Sequence, residues 1–432
     1  AESGVTRAHM PGHKGKGLLG FEKYDITEIK GADALYEAEG IIEQSRLNAQ
    51  NIFGSGRTDY STEGSSQCIR AMLALASAGE ERPLILAARN VHKVFVYGCA
   101  LLDIDVEWLM PESGAASVCA CPITPEGVAK RLDGLERRPC ALYITAPDYL
   151  GGSPDIRGIA EICHKKGVPL LVDNAHGAYL RFLSPSLHPL DQGADLCCDS
   201  AHKTLPVLTG GAYLHVSKTA PAGLRERAKA ALALFGSTSP SYLTLASLDL
   251  CNAWLAGEGP ERVRAAAGGL AAARQSLSAQ GWAFAGTEPL KLTFDAAASG
   301  WEGSALAELL RAGGVEPEYA DRDFCVLMAS ASTDREAMGI AAGVLSPAVP
   351  GPGRLRPALP PAKGERAASI REALFAPQET VPAEKSLGRI CGAPTVACPP
   401  AVPIAVSGER IGPEALALFQ YYGVEAVAVL KD

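Results

Sequence analysis

The feature that most constrains this chain is a pair of short apolar runs that each end in ionisable residues. Val168-Pro169-Leu170-Leu171-Val172 runs into Asp173-Asn174-Ala175-His176-Gly177, and Ala194 to Cys198 runs into Asp199-Ser200-Ala201-His202-Lys203-Thr204. Runs of this length and composition are buried strands of a parallel sheet, and α/β proteins build their sites at the carboxyl ends of such strands. An acid and a lysine offered together there suit pyridoxal phosphate. The lysine amine condenses with the aldehyde, and the carboxylate keeps the pyridine nitrogen protonated, so that the ring draws electrons from a substrate's Cα. On these residues alone the plainer reading, with Asp173 capping a turn and Lys203 solvated, stands equally open.

The rest of the chain repeats the order strand, polar turn, helix. Ala8-His9-Met10-Pro11-Gly12-His13-Lys14-Gly15 has no apolar period and reads as a loop or arm, and its two histidines lack a third ligand at matched spacing. A helical stretch from about Glu37 to Phe53 leads to Gly64-Ser65-Ser66, and the helical spacing of residues 67–78 puts that triplet at a helix N-terminus. Exposed amides, the positive end of the dipole and two hydroxyls there form a phosphate cradle, or simply a serine N-cap. Glu63 sits awkwardly beside such a cradle. Leu84 to Ala88 reads as a strand followed by Arg89-Asn90-Val91-His92-Lys93, where His92 can lie over a ring or serve as an ordinary loop residue. Strands at Ala141–Thr145 and Ala212–Val216, helices at residues 155–166, 223–234 and 245–255, and the polar loop Phe235 to Leu243 argue a mostly parallel, doubly wound sheet. Beyond Gly257 an Ala-rich helix begins a smaller α+β region that contains a Pro/Gly-rich, flexible stretch over 346–364.

Composition excludes several classes. With 432 residues, 47% of them hydrophobic and 20% charged, the chain can bury a large core, expected as two domains. A formal net charge of -8 without a basic block argues against nucleic acid and anionic membranes as partners. No window approaches the ~18 uninterrupted apolar residues of a membrane span, and Ala1-Glu2-Ser3-Gly4 does not read as a signal peptide, so a cytoplasmic place is expected. The 12 cysteines are scattered through apolar runs with no C-x-x-C pair, as small buried hydrophobes in a reducing compartment would be; no metal site is expected.

Assembled, these motifs resemble the ornithine/lysine/arginine decarboxylases, pyridoxal-phosphate enzymes of amine and polyamine metabolism with the aspartate-aminotransferase fold. The resemblance rests on Met10-Pro11-Gly12-His13-Lys14, Asp25-Ile26-Thr27-Glu28, Gly64-Ser65-Ser66, Arg89-Asn90-Val91-His92-Lys93, Asp173-x-Ala175-His176-Gly177-Ala178, Ser200-Ala201-His202-Lys203-Thr204-Leu205 and Thr238-Ser239-Pro240-Ser241-Tyr242. The closing segment with Pro399-Pro400, Pro403 and Gly408-Glu409 also fits. The chain is short for the family and looks like its compact form, without an N-terminal wing domain.

The resemblance implies an α/β fold of type I, in which a large domain with a mostly parallel seven-stranded sheet carries the cofactor. The expected boundaries are an arm over 1–24, the large domain over 25–256 and a small α+β domain over 257–432. It also implies a carbon–carbon lyase that decarboxylates arginine, lysine or ornithine. Lys203 would carry pyridoxal 5'-phosphate, Asp173 would pair with its ring nitrogen, His92 would stack on the ring, and His176 would lie close by. Gly64, Ser65, Ser66, Ser200 and His202 would hold the phosphate. Ser237, Thr238 and Ser239 would reach the phosphate of a neighbouring subunit, implying a homodimer, and Glu409 is the candidate acid for the substrate's cationic end. Glu63, Val94, Asp148, Asn174 and Gly210 depart from the family pattern, where Asn, Ser, Thr, Glu and Gln are usual. Those departures keep open another reaction at the cofactor, such as transamination or elimination, or a non-catalytic cofactor-binding dimer.

Overall fold

A computed structural model describes residues 6–112, 115–333, 335–356, 359, 362–397 and 401–431. Pro399-Pro400 and part of the Pro/Gly-rich stretch lie outside them. The elements run α1 (Ile41–Phe53), β1 (Arg57–Ser61), α2 (Ser65–Ser77), β2 (Leu84–Ala88), α3 (Lys93–Leu102), β3 (Asp105–Leu109), α4 (Pro125–Asp133), β4 (Ala141–Thr145), α5 (Ile156–Lys165) and β5 (Leu170–Asp173). They continue with β6 (Leu196–Asp199), the single turn α6 (Ala201–Thr204), β7 (Ala212–Val216), α7 (Ala222–Ala233), α8 (Tyr242–Ala256) and α9 (Gly259–Ala279). A second sheet follows, from β8 (Phe284–Ala285), β9 (Lys291–Asp295), β10 (Tyr319–Ala320) and β11 (Phe324–Met328), with α10 (Gly303–Ala312) between β9 and β10.

The main sheet has seven strands in the order β1-β7-β6-β5-β4-β2-β3. β2 runs parallel to β3 and β4, and β5 to β6, whereas β7 is antiparallel to both its neighbours. The expected mostly parallel seven-stranded sheet is therefore the one observed. Every residue of β2, β5, β6 and β7 is buried, which is why these strands read as largely apolar runs. The second sheet, β10-β11-β9-β8, is antiparallel.

The chain clusters into two compact units, residues 1–76 with 171–261 and residues 77–170 with 262–432. The expected large domain is itself divided, because residues 77–170 group with the C-terminal part. Three local expectations shift. α1 starts at Ile41 rather than Glu37, with Gly40 as its N-cap. α2 takes in Ser65 and Ser66 as its first two residues. β1 forms from residues expected only as a polar connection, because its polar groups are internally paired: Arg57 clasps Asp59 at 2.5 Å, and Tyr60 hydrogen-bonds Ser45 and Asn252. No described cysteine is disulfide-bonded, ten of the eleven are buried, and burial pushes the Cys119 thiol up to about 12.

Candidate active site

In the first unit β5 and β6 lie in parallel register with Asp173 opposite Cys198, so both carboxyl ends open on one edge of the sheet. Asp173 is 2% exposed; its carboxylate accepts the Ala175 amide at 3.2 Å and the Cys198 thiol at 3.6 Å. β6 ends one residue before Ser200, which opens the α6 turn, and the turn delivers Lys203. The Lys203 Nζ lies 3.0 Å from His176 Nε2, the nitrogen of the histidine three residues beyond Asp173.

The same turn faces the start of α2. The Ser200 hydroxyl donates to Ser65 Oγ at 3.1 Å and lies 3.5 Å from His202 Nε2. Hydroxyls, an imidazole and the amide end of a 13-residue helix thus converge. Burial, and then the neighbouring Lys203 charge, lowers the His202 pKa and favours its neutral ring. This donor set fits a phosphate dianion, and an amine beside a histidine with a buried acid at the adjacent strand end fits the rest of pyridoxal phosphate.

Two family departures acquire physical reasons here. The Glu63 carboxylate accepts the Ser237 amide at 2.5 Å, so it is engaged with the Ser237–Ser239 loop of its own chain, where Ser239 donates its amide to Ser237 Oγ. Gly210 accepts the Gly64 amide at 2.7 Å with its own φ at +94°, and a Cβ there would meet the Thr62 carbonyl at 2.7 Å. This conformation of the loop against the cradle excludes a glutamine.

Asn174 explains itself through a network that sequence reasoning missed. Its Nδ2 donates to Asp199 Oδ1 at 2.6 Å, and the other oxygen of Asp199 receives His188 Nε2 at 3.0 Å and His215 Nε2 at 3.2 Å. All three groups are fully buried. Burial alone would raise the Asp199 pKa, but the two imidazoles and their hydrogen bonds hold it well below the usual carboxylate range. The second nitrogen of His188 accepts the Leu190 amide, which places the ring proton on Nε2, toward Asp199. His215 Nδ1 is 2.8 Å from Thr58 Oγ1, which in turn meets Ser55. The His188–Asp199–His215 trio is close enough to hold a metal ion, but a His188 Nε2 that carries its proton has no lone pair to offer. A glutamate at position 174 would set a second carboxylate against Asp199. The available signal was His215 itself, a polar residue inside the apolar run Tyr213-Leu214-His215-Val216.

The second unit holds the remaining candidates. His92 is the N-cap of α3, its Nδ1 accepting the Val94 amide at 3.2 Å. Glu409 is buried and accepts the Arg89 guanidinium at 2.8 Å and the Val406 amide at 2.9 Å. The carboxylate expected to meet a cationic substrate is thus already neutralised by an arginine. Asp148 is 8% exposed, and its Oδ1 accepts the Leu150 and Gly152 amides at 2.9 and 2.8 Å. Burial pushes its pKa up to about 6 despite those amides and the Lys291 charge.

Solved structures share this architecture. The chain superposes over its whole length on 80% of the lysine decarboxylase LdcF of Francisella novicida, with a TM-score of 0.82 and 15% identity. It matches 80% of the constitutive lysine decarboxylase of E. coli over 98% of its own length, with a TM-score of 0.78 and 18% identity. A serine palmitoyltransferase of Sphingomonas wittichii superposes with a TM-score of 0.55 and 14% identity, over 70% of this chain and 76% of that one. At these identities the likeness defines the fold, fold type I of the pyridoxal-phosphate enzymes.

The model of the Orn/Lys/Arg decarboxylase major domain matches residues 15–298, and the chain belongs to that family, whose members are amino-acid decarboxylases. It is 29% identical to the arginine decarboxylase of Halalkalibacterium halodurans over 95% of this chain and 89% of that protein. It is 34% identical to the uncharacterized protein YaaO of Bacillus subtilis over 57% of this chain, a match that spans about half of YaaO, 53% of its length.

Proposed function

We propose that this protein decarboxylates a basic amino acid, arginine, lysine or ornithine, with pyridoxal 5'-phosphate held through Lys203, as a cytoplasmic homodimer. The observation that carries the reading is the Lys203–His176 contact beside the strand end that bears Asp173. When bound, the cofactor supplies an electron sink for the charge that CO2 leaves behind. Ser65, Ser66, Ser200 and His202 bind its phosphate, and Asp173 holds the proton on its ring nitrogen. His176 Nε2 is within proton-transfer distance of Lys203 Nζ, so the pair can keep the amine unprotonated when it must attack and return the proton afterwards. His92 is the stacking residue, and Ser237, Thr238 and Ser239 complete the phosphate site across the dimer. The Asn174–Asp199 hydrogen bond ties the loop after Asp173 to the turn before Lys203, which keeps both groups in register.

The test supplies arginine, lysine and ornithine separately to the cofactor-loaded protein and measures CO2 and amine release, with Lys203→Ala as control. Turnover of one substrate that the variant lacks is the expected result. Cofactor bound through Lys203 without decarboxylation of any of the three overturns the reading.

A further inference from the structure

The second unit contains a cavity of about 580 Å³ at the carboxyl ends of β2 and β4, and its polar lining is short of donors. Asn90, two residues past β2 and 4% exposed, gives its Nδ2 to the Cys119 carbonyl at 3.3 Å, while its buried Oδ1 has no partner. Thr145, the last residue of β4, has a buried Oγ1 without a partner. Three carboxylates line the space: Asp148, Asp155 and Asp295. Among the described lining residues the single cation, Arg356, is committed to Asp295 and lies over the Phe324 ring at 4.9 Å. Lys291, whose Nζ reaches the Asp148 carbonyl oxygen at 3.2 Å, is neutralised by Glu288 at 2.7 Å. Asp155 caps α5 through the Gly158 amide; among the described residues no cation forms an ion pair with Asp148, and the Lys291 charge acting on it is shared with Glu288. Ile123, Leu150 and Phe324 supply apolar wall.

We propose that this cavity is a binding site for a small organic cation, an alkylammonium or alkylguanidinium, with Asp148 as its counter-ion and Asn90 and Thr145 as acceptors. An excess of acceptors and negative charge demands a ligand rich in N–H donors, and the apolar wall suits a methylene chain. An anion is disfavoured because the only guanidinium among the described lining residues is already paired. The Asp148 position, where the family has threonine, is thereby what distinguishes this chain. The inference rests on the proposed decarboxylation only in the choice of probes, which are the amines that reaction would release.

The test is calorimetric titration of the cofactor-loaded protein, and of its Lys203→Ala variant, with 1,5-diaminopentane, 1,4-diaminobutane and 4-guanidinobutylamine. Pentane-1,5-diol and glutarate are the neutral and anionic controls. The expected result is binding of at least one amine to both proteins, weakened tenfold or more by Asp148→Asn, whose amide oxygen can still accept the Leu150 and Gly152 amides. Thr145→Val, a second variant that leaves that turn untouched, weakens the same amine. Binding of no amine, equal binding by Asp148→Asn and Thr145→Val, or equal binding of glutarate overturns the proposal. Because Lys203→Ala cannot turn over, amine binding without decarboxylation in the wild type would sink the proposed reaction and leave this site standing, and the reverse outcome would do the opposite.

Discussion

Asp199 and Asp148 are both buried carboxylates close to the carboxyl ends of strands, and they have opposite surroundings. Asp199 is saturated: an asparagine and two histidines donate to it, and its pKa is held low. Asp148 accepts two backbone amides and, among the described residues, forms no ion pair with a side-chain cation, and its pKa rises to about 6 despite the Lys291 charge. A buried acid whose needs are met from within the fold holds its neighbours in place, here the turn that carries Lys203. A buried acid left under-neutralised costs stability, a cost the fold recovers when a ligand arrives.

The largest effect should come from Lys203→Ala, the group the saturated network presents. It should lower kcat by at least about a thousandfold, as loss of a group that both bonds and moves protons does, and steady-state amine release checks this. Asp199→Ala should be next. It strands the inward Nε2–H of His188 and the Asn174 amide without acceptors, which should destabilise the fold by about 3 kcal/mol or more in chemical denaturation.

Asn174→Asp keeps the shape and places a carboxylate where a donor sat 2.6 Å from Asp199. Whichever acid of that pair is raised contributes its penalty above its folded pKa and none below the unfolded value near 4. The variant should therefore fall behind wild type by about 2 kcal/mol at pH 8 and recover as pH drops. Asp148→Asn should act the other way. The wild-type penalty is absent below about pH 4 and complete above about pH 6, so the variant should be the more stable protein at pH 8, by about 1–3 kcal/mol, with no difference near pH 4. If Asp199→Ala proves harmless, or Asp148→Asn destabilises at pH 8, the contrast between the two acids fails.

How legible all this was in the sequence follows the same division. Leu84–Ala88, Ala141–Thr145 and Ala212–Val216 were read as strands with their observed limits, because burial on both faces leaves a mainly apolar run. β1 and β3 were not, since Arg57-Thr58-Asp59 and Asp105-Val106-Glu107 are polar enough to pass for connections; their charges are paired within the strand, as Arg57 is with Asp59 at 2.8 Å, or through tertiary contacts such as Arg137 to Asp105 at 2.8 Å. The placement of Asp173 and Lys203 was legible because each follows an apolar run where a strand stops. The partners of Asp199 were not, as His188 precedes its strand and His215 belongs to the next one. Glu409 invited a role as the acid for a substrate's cationic end, and only the fold reveals Arg89 against it.

Lys203 is proposed as the residue that bears the cofactor. Borohydride reduction of the pyridoxal-phosphate-loaded protein, followed by proteolysis and peptide mass spectrometry, tests it directly. The expected result is a phosphopyridoxyl mass on the peptide containing Ser200-Ala201-His202-Lys203, lost in Lys203→Ala. A label on another lysine, or none in the folded wild-type protein, would contradict it.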